Sequence, residues 1–208
     1  MIARLQYITQ AHPHHRPAQH CEELCKAGVP WVQLRMKQVS TTDYLAEAQR
    51  CREITQHYGA KLIINDQLEV ALGAQADGVH LGQDDLCTAE ARRLAPPGFI
   101  IGGTANTLAQ VRRHIANGVD YVGLGPLRFT TTKEKLSPLL GVEGYAQISQ
   151  ALKQEGLDIP LIAIGGIQLA DIAPLLQAGV YGIAVSSLLT HPPDKQHLVS
   201  KIITTLNL

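Results

Sequence analysis

The sequence predicts an α/β protein in which eight parallel strands and eight helices form one closed barrel. Eight short apolar segments alternate with segments of helical periodicity along the 208 residues. Most of the apolar segments are continuous runs, as expected for parallel strands that are covered on both faces. Nearly all reactive residues follow these segments directly, at the end of a parallel barrel where active sites lie. We therefore expect a single (βα)8 TIM barrel over residues 1–208.

The predicted strands are rich in Val, Ile, Leu and Tyr and lie roughly 20–30 residues apart, which leaves room for a crossover helix each time. In chain order they are Arg4–Thr9, Trp31–Leu34, Lys61–Ile64, Asp77–His80, Phe99–Gly102, Tyr121–Leu124, Pro160–Ile164 and Gly182–Val185.

Three segments between the strands show a clear helical pattern: Asp43–Tyr58, Thr107–Asn117 and Asp171–Gln177. We expect Thr41 or Thr42 to cap the first of these helices, because a side-chain hydroxyl there can accept a hydrogen bond from a free backbone N–H. Each segment is followed by a glycine that would end the helix. No Ser/Gly linker, charge block or low-complexity stretch indicates a domain boundary.

Composition excludes several classes of function. The formal net charge is zero, so no overall field would attract nucleic acid or an anionic membrane. No apolar run reaches the roughly 18–20 residues that span a bilayer, and the N-terminus lacks a signal-peptide pattern. We therefore expect a cytoplasmic protein with neither nucleic-acid nor membrane partners. The sequence leaves open whether it forms a homo-oligomer.

Two groups of residues resemble metal ligands but favour simpler interpretations. The cysteines are Cys21, Cys25, Cys51 and Cys87, and no further ligands at matching spacing support a zinc site. We expect reduced thiols that mostly pack helices. The run from His12 to His15 contains a proline and has no carboxylate or cysteine nearby. A solvated loop is the favoured interpretation, because short histidine tracts are a weak signal.

Two carboxylates follow neighbouring strands and would meet at one edge of the barrel. Asn65-Asp66 ends the third strand and Asp85 follows the fourth. A few carboxylates with open positions for water and phosphate oxygens are typical of a Mg²⁺ site. Asp84 is a second candidate that spacing does not separate from Asp85. Asp66 would also serve as the N-cap of the next helix, and this structural role is compatible with metal binding.

Cations and hydroxyl groups follow other strands. Arg35 and Lys37 come after the second strand and would point the same way if the extended backbone continues. Fixed cations there would neutralise a diphosphate as it leaves. The long irregular segment Gly125–Gly141 contains Thr130–Lys133. A loop of this length is uncommon unless it is functional or disordered, and we favour an active-site lid.

A second phosphate site is predicted after the last two strands. Gly165-Gly166 and Val185-Ser186 lie there, where barrels of this kind bind phosphate through bare backbone N–H groups. No nucleophile–histidine–acid arrangement or GxSxG motif is present. Two phosphate-binding regions and a metal site together indicate one substrate with a diphosphate and another with a monophosphate.

These residues resemble the thiamin phosphate synthase (thiamine-phosphate pyrophosphorylase) family over essentially the full length. The segments with the resemblance are QLRMK, LIINDQ, ADGVHLGQDD, IIGGT, DYVGLGP, TTTK, PLIAIGGI and VSS. The resemblance implies a TIM-barrel enzyme that requires Mg²⁺. It would join hydroxymethylpyrimidine diphosphate to a thiazole phosphate, or to its carboxylated form, and release pyrophosphate by a dissociative mechanism.

The resemblance also implies roles for individual residues. Asp66 and Asp85 would bind Mg²⁺, while Arg35, Lys37 and Lys133 would be the catalytic cations. The substrate-binding positions would be Gln33, Arg35, Lys37, Asn65, Thr104, Thr130, Thr132, Lys133, Gly166, Val185 and Ser186.

The chain departs from the family pattern at three positions. Thr104 stands where the family usually has serine, Asn106 where many relatives have histidine, and Phe129 where proline is usual. A thiazole tautomerase with this fold is an alternative, but it relies on the histidine that Asn106 replaces and lacks an intact T-x-T-K loop. A non-catalytic sensor of phosphate ligands is the other alternative, since fold alone does not define function.

Overall fold

In the computed structural model, which describes residues 1–129 and 139–206, eight parallel strands close into a barrel in the order β1 to β8. Closure is made by β1 pairing with β8, with Leu5 opposite Ile183 and Tyr7 opposite Val185. The predicted parallel barrel is confirmed. The strands are β1 Leu5–Ile8, β2 Trp31–Leu34, β3 Lys61–Asn65, β4 Gly78–Leu81, β5 Ile100–Ala105, β6 Tyr121–Leu124, β7 Leu161–Ala163 and β8 Gly182–Val185.

Helices follow the strands and cover the outside of the barrel. They are α1 Pro17–Lys26, α2 Thr41–His57, α3 Leu68–Gly73, α4 Thr88–Leu94, α5 Leu108–Ala116, α6 Gly141–Gln154, α7 Ile172–Gln177, α8 Ser187–Thr190 and α9 Lys195–Thr205. A short 3₁₀ helix, Leu169–Asp171, precedes α7. No helix in the described ranges is long and apolar enough to cross a membrane.

The helix boundaries differ from the predictions at the capping residues. Ser40, rather than Thr41 or Thr42, is the N-cap of α2, and its side chain accepts a hydrogen bond from the Asp43 N–H at 3.1 Å. Thr107 caps α5 in the same manner, with Gln110 as donor. Several Ser and Thr residues in a row satisfy the same sequence rule, so only the backbone path decides which one caps the helix.

The apolar side chains form two layers separated by the barrel wall. The larger layer fills the space between strands and helices and includes Leu34, Leu62 and Val122. The smaller one lies inside the barrel and includes Trp31, Ile63 and Tyr121. Because strand side chains alternate between faces, the inward residues nearer the carboxyl ends include polar groups, and these form the floor of the site described below.

The cysteine prediction is confirmed within this frame. Cys21, Cys25 and Cys51 are buried, Cys87 is exposed, and all four are free. Cys21 and Cys25 lie on α1 and Cys51 on α2, whose buried faces pack against each other. The three buried thiols therefore contribute to helix packing.

Candidate active site

The carboxyl ends of the strands bring residues from distant parts of the sequence to one face of the barrel. Gln33, Asn65, Thr104 and Ser186 lie at or just beyond the ends of β2, β3, β5 and β8. Such convergence at the carboxyl ends is where barrels of this architecture place their active sites. The side chains form three groups on this face: a carboxylate pair, a buried polar network and a glycine-lined cavity.

Asp66 lies in a tight turn directly after β3. Its φ is +69°, and the Gln67 N–H donates to the Asn65 carbonyl at 2.9 Å, which closes a γ-turn around Asp66. The Asp66 N–H donates to the His80 carbonyl at 2.8 Å. Gln67, with φ −108°, is the N-cap of α3. The predicted capping role of Asp66 is therefore wrong, and its side chain is available for the site.

Asp85 meets Asp66 from the loop that follows β4. The two side chains share a hydrogen bond, and the Gly82 N–H donates to Asp85 Oδ2 at 2.6 Å. Burial, together with the hydrogen bond and negative charge of Asp66, raises the pKa of Asp85 from 3.8 to about 6. The predicted meeting of these two carboxylates is confirmed as geometry, and the contact with Asp66 favours Asp85 over Asp84 as its partner in the pair.

The carboxylate pair is suited to a hard divalent cation. Two carboxylates held together repel each other when both are charged, and a bound cation relieves that repulsion. Oxygen donors are also the ligands that Mg²⁺ prefers. The Lys37 ammonium forms an ion pair with Asp66 Oδ2, so a cation already lies against the pair from the β2 side. The residues present thus fit a magnesium ion.

Arg35 and Lys37 lie in neighbouring parts of the barrel face that is formed by the carboxyl ends of the strands. The prediction that they point the same way assumed extended backbone up to Lys37, whereas β2 ends at Leu34. The Arg35 N–H donates to Thr9 Oγ1 at 2.8 Å, and its side chain borders the glycine-lined cavity. Lys37 instead reaches Asp66. One cation therefore lies beside the cavity and the other beside the carboxylates.

Tyr44 fixes the ends of β2 and β3 from behind. Its hydroxyl lies 2.7 Å from the Leu34 carbonyl and 3.0 Å from the Asn65 carbonyl. Tyr145 occupies an equivalent position behind β6 and β7, 2.7 Å from the Leu124 carbonyl. These tyrosines position the strand ends that bear the site, whereas the sequence analysis placed Tyr44 only within the helical segment Asp43–Tyr58.

A buried polar network connects Gln33 to Thr104 through the barrel interior. Gln33 donates to the Gln6 side-chain oxygen at 3.3 Å, and the Gln6 amide lies 3.5 Å from the Tyr121 hydroxyl. His80 continues the network, with Nδ1 2.9 Å from the Tyr121 hydroxyl and Nε2 2.8 Å from Thr104 Oγ1. The network joins two residues that were predicted from the family resemblance to contact the same substrate.

The network exists because a glycine leaves space for it. A Cβ on Gly102 would lie 2.2 Å from the Tyr121 ring and 2.5 Å from His80 Nδ1. Burial raises the pKa of Tyr121 well above its usual value, so the hydroxyl stays neutral and available as a donor. Gln6, His80 and Tyr121 were missed by sequence reasoning, because their contacts link residues up to 115 positions apart.

Asn106, one of the departures from the family pattern, has a structural contact here. Its side-chain amide donates to the Gly125 carbonyl, and its backbone N–H donates to Gln110 Oε1 at 2.7 Å. Thr104 is buried, and its carbonyl lies 2.9 Å from His114 Nε2. Asn106 therefore links the loop after β5 to the end of β6 instead of offering a titratable group.

A cavity of about 120 Å³ lies after β7 and β8. Its wall includes Gly166, Val185 and Ser186, all predicted as phosphate-binding residues, together with the apolar side chains Ile8 and Ile164. The predicted meeting of these residues is confirmed. The site combines an apolar wall with backbone and hydroxyl donors, as expected for a ring that bears a phosphate.

Glycine is required at both positions of the turn in this cavity. Gly165 and Gly166 have φ values of +92° and +68°, which side chains rarely adopt. A Cβ on Gly166 would also lie 2.6 Å from Arg128 Cγ. The turn is thus confined to glycine by both conformation and space.

Arg128 holds this glycine turn in place. Its guanidinium donates to the Gly166 carbonyl at 2.6 Å and makes two bonds to the Asp171 carboxylate at 2.6 and 2.7 Å. The hydrogen bond from Arg128 lowers the pKa of Asp171. Arg128 therefore joins the loop after β6 to the loop after β7, a role that the sequence analysis did not assign to it.

Three predicted site residues, Thr130, Thr132 and Lys133, lie outside the described residues, as does most of the predicted lid Gly125–Gly141. The segment begins shortly after Arg128 and ends shortly before Leu140. The Leu140 N–H donates to the Pro126 carbonyl at 3.0 Å. Both ends of the segment are thus joined at the end of β6, beside the glycine-lined cavity.

Comparison with known proteins agrees with this geometry. Residues 5–189 match the family described as thiamine monophosphate synthase. A thiamine-phosphate synthase of Flavobacterium johnsoniae is 42% identical over 97% of this chain and 95% of its own length. That of Bacteroides fragilis is 41% identical over 96% and 98%.

A solved structure supports the same assignment. The thiamine phosphate pyrophosphorylase of Pyrococcus furiosus superposes with a TM-score of 0.85 at 28% identity, covering 98% of this chain and 95% of that one. The match extends through the barrel that positions the carboxylate pair and the glycine-lined cavity. The chain therefore belongs to the thiamine monophosphate synthase family of transferases.

Proposed function

We propose that this chain is a thiamine-phosphate synthase that joins hydroxymethylpyrimidine diphosphate to a thiazole phosphate, or to its carboxylated form. Pyrophosphate is released in both cases, and the carboxylated form also loses CO2. The observation that supports this most directly is the pairing of Asp66, Asp85 and Lys37 on the same barrel face as the glycine-lined cavity. One group suits a diphosphate with its cation, and the other suits a phosphorylated ring. The similar proteins are named thiamine-phosphate synthases, which supports the overall reaction.

The aminopyrimidine would bind beside Gln33 and Thr104. Gln33 is buried and its amide is held by Gln6, while the Thr104 hydroxyl is held by His80. Fixed amide and hydroxyl groups can recognise a ring with both donors and acceptors at little further entropic cost. The threonine keeps the hydroxyl that serine would supply and adds a methyl group to the pocket.

The diphosphate would lie between the carboxylate pair and the cations. Asp66 and Asp85 would hold Mg²⁺, which when bound would neutralise the diphosphate and stabilise it as a leaving group. Asn65, Arg35 and Lys37 would contact its oxygens from the ends of β2 and β3, and Thr130, Thr132 and Lys133 from the segment after β6. Charge-assisted hydrogen bonds of this kind strengthen as negative charge develops on the leaving oxygen.

The thiazole phosphate would occupy the glycine-lined cavity. Its phosphate would meet the backbone of Gly166 and the N–H and hydroxyl groups of Ser186, while Val185 and Ile164 would contact the ring. Arg35 would place a positive charge at the border between the two substrates. This arrangement would align the thiazole nitrogen with the pyrimidine methylene carbon.

The reaction would then proceed by dissociation. The C–O bond to the diphosphate breaks with its electron pair on oxygen, and the positive charge left on the methylene carbon is delocalised into the aminopyrimidine ring. The thiazole nitrogen donates its lone pair to that carbon and forms the new C–N bond. No protein nucleophile is required, and the catalytic task of Arg35, Lys37 and Lys133 is to stabilise the departing charge.

The decisive experiment incubates the purified chain with both substrates and Mg²⁺ and measures thiamin phosphate and pyrophosphate together. Equimolar formation of both products is the expected result. Isomerisation of a thiazole phosphate without pyrophosphate release would instead identify a tautomerase. Binding of either phosphate compound with no turnover would identify a sensor, and either outcome would overturn the proposal.

A further inference from the structure

Three histidines converge at the start of α1, away from the carboxylate pair. His12 and His15 lie in the loop between β1 and α1, and His20 lies on α1. One ring nitrogen of each lies within 4.8 Å of the others. The Nδ1 atoms of His12 and His15 are 3.1 Å apart, and both rings contact the His20 ring with centroid distances of 5.1 and 5.2 Å.

His20 is the member of this cluster that calls for an explanation. It is only 2% exposed, and among the residues that the structure describes neither ring nitrogen has a hydrogen-bond partner. The nearest carboxylate oxygen, Glu23 Oε2, is 3.7 Å from Nδ1, and Glu23 is paired with Lys195 at 3.1 Å. A buried polar group without a partner is destabilising, so a ligand that accepts its lone pair would be stabilising.

The electrostatics favour the neutral forms of His12 and His20. Partial burial, followed by the neighbouring His15, lowers the pKa of His12. Burial lowers the pKa of His20, an effect opposed by Glu23 and reinforced by His12 and His15. A neutral imidazole has a free lone pair, and this is the protonation state in which histidine binds a metal ion.

We propose that His12, His15 and His20 bind one transition-metal ion of the zinc class. Three imidazole nitrogens suit Zn²⁺, Co²⁺, Ni²⁺ or Cu²⁺ and do not suit Mg²⁺. Nitrogens around one tetrahedral zinc lie about 3.4 Å apart, given Zn–N distances of about 2.1 Å. The limit of 4.8 Å therefore requires a closure of little more than about 1 Å. Water or an anion would fill the fourth position.

This site is separate from the carboxylate pair but connected to the glycine-lined cavity. The loop that bears His12 begins with Gln10, which accepts a hydrogen bond from Ser186 Oγ at 3.1 Å and contacts His191 Nε2 at 3.1 Å. A bound ion would cross-link the loop to α1. The ion would thereby hold Gln10 beside Ser186, which borders the cavity.

The test uses tag-free, chelator-treated protein kept in excess Mg²⁺, which occupies the hard oxygen ligands. Calorimetric titration with Zn²⁺ should show one ion per chain, bound at micromolar affinity or tighter. The double variant His12→Ala/His15→Ala should lose this step. His57→Gln removes an exposed histidine on α2 and should leave it unchanged. Absence of the step in the parent chain, or its persistence in the double variant, would overturn the proposal.

His20→Leu provides a second readout that a folding defect would not imitate. It removes two buried nitrogens that lack partners, so the melting temperature without metal should stay the same or rise. The increase in melting temperature that Zn²⁺ produces in the parent chain by mass action should disappear. A Zn²⁺-induced increase that is unchanged in this variant would contradict a role for His20.

Cobalt absorption identifies the ligand atoms. Co²⁺ bound to imidazole nitrogens should give visible bands without a thiolate charge-transfer band, which supports the histidine site. A thiolate band that vanishes in Cys87→Ser would place the ion at the exposed cysteine and overturn the proposal.

Discussion

At the scale of single residues, Asp66 combines an unusual backbone conformation with a side chain that we propose binds the metal ion. Its φ of +69° is a region that Asn and Asp tolerate better than other residues with side chains. The γ-turn it forms turns the carboxylate away from the helix N-terminus and toward Asp85 and Lys37. The backbone strain and the chemistry therefore lie in the same residue, as is common at functional sites.

Asp66→Asn should separate activity from stability. Asparagine keeps the turn but removes the charge, so we expect turnover to fall by about a hundredfold or more. The melting temperature should change little, because the exposed pair with Lys37 contributes at most about 1 kcal/mol. Asp84→Asn is the matched control and should retain most activity. Equal losses of stability and turnover in Asp66→Asn would indicate that the residue is structural.

Asp85 should make the metal-free protein less stable as pH rises. Its pKa is raised from 3.8 to about 6, so between these values the folded state binds more protons than the unfolded state. The free energy of unfolding therefore falls from about pH 4 to 6 and then levels off. Above this range the deprotonated carboxylate binds cations, so apparent Mg²⁺ affinity should rise as pH passes through about 6.

The comparison with Asp85→Asn isolates this effect from other carboxylates. Urea unfolding in the presence of a chelator gives the free energy of unfolding of both proteins. As pH rises through this window, the variant should become increasingly more stable than the parent chain. Asp171 titrates with the opposite sign at lower pH, because its pKa is lowered, but it contributes equally to both proteins. A difference that is constant with pH would contradict the raised pKa of Asp85.

At the scale of secondary-structure elements, the loops after β6 and β7 act as a unit through Arg128. Arg128→Met keeps the length of the side chain and removes three hydrogen bonds to Asp171 and Gly166. We expect the apparent KM for the thiazole phosphate to rise about tenfold, equivalent to about 1.4 kcal/mol. The effect on kcat should be smaller, because the phosphate proposed to bind at the glycine turn does not react.

Arg112→Met is the matched control for this prediction. Arg112 makes a two-bond contact with Glu155, but this pair joins the exposed surface of α5 to the C-cap of α6, and neither residue lines the cavity. The Arg112→Met variant should leave kcat and the apparent KM for the thiazole phosphate near those of the parent chain. If the two variants behaved alike, the Arg128 contacts would be ordinary surface ion pairs and not a support for the phosphate site.

At the scale of the whole molecule, the barrel interior connects predicted substrate-binding residues that come from different strands. Tyr121→Phe would break the network between Gln6 and His80 and leave buried groups without a partner. We expect a loss of about 1–3 kcal/mol of stability together with a higher KM for the pyrimidine diphosphate. The second effect follows because Gln33 and Thr104 would lose their fixed orientation.

Tyr181→Phe provides the comparison for the network. Its hydroxyl donates to the Ile2 carbonyl at 2.9 Å, at the opposite end of the barrel. This variant should lose stability without any change in KM. A pyrimidine KM that stays constant in Tyr121→Phe would show that the network supports the fold alone.

The sequence by itself was sufficient for the barrel and for the face that bears the site. Apolar runs such as Trp31–Leu34 and Gly182–Val185 match strands at both ends, because burial on both faces leaves a local pattern that needs no knowledge of contacts. The direction of parallel strands then places every strand-ending residue on one face. That is why Asp66, Asp85 and Gly166 were found before any contact was known.

Only the tertiary structure decided which of these residues touch and what holds them. The Asp66–Asp85 pair, the link from Gln33 to Thr104 and the convergence of His20 with His12 depend on barrel closure and on side-chain rotamers. The backbone path also chose Ser40 over Thr41 as a cap and freed Asp66 from capping. The physical reason is that hydrophobic periodicity indicates which face of an element is buried, and this pattern is local along the chain. Contacts between residues far apart in sequence arise only when the chain closes.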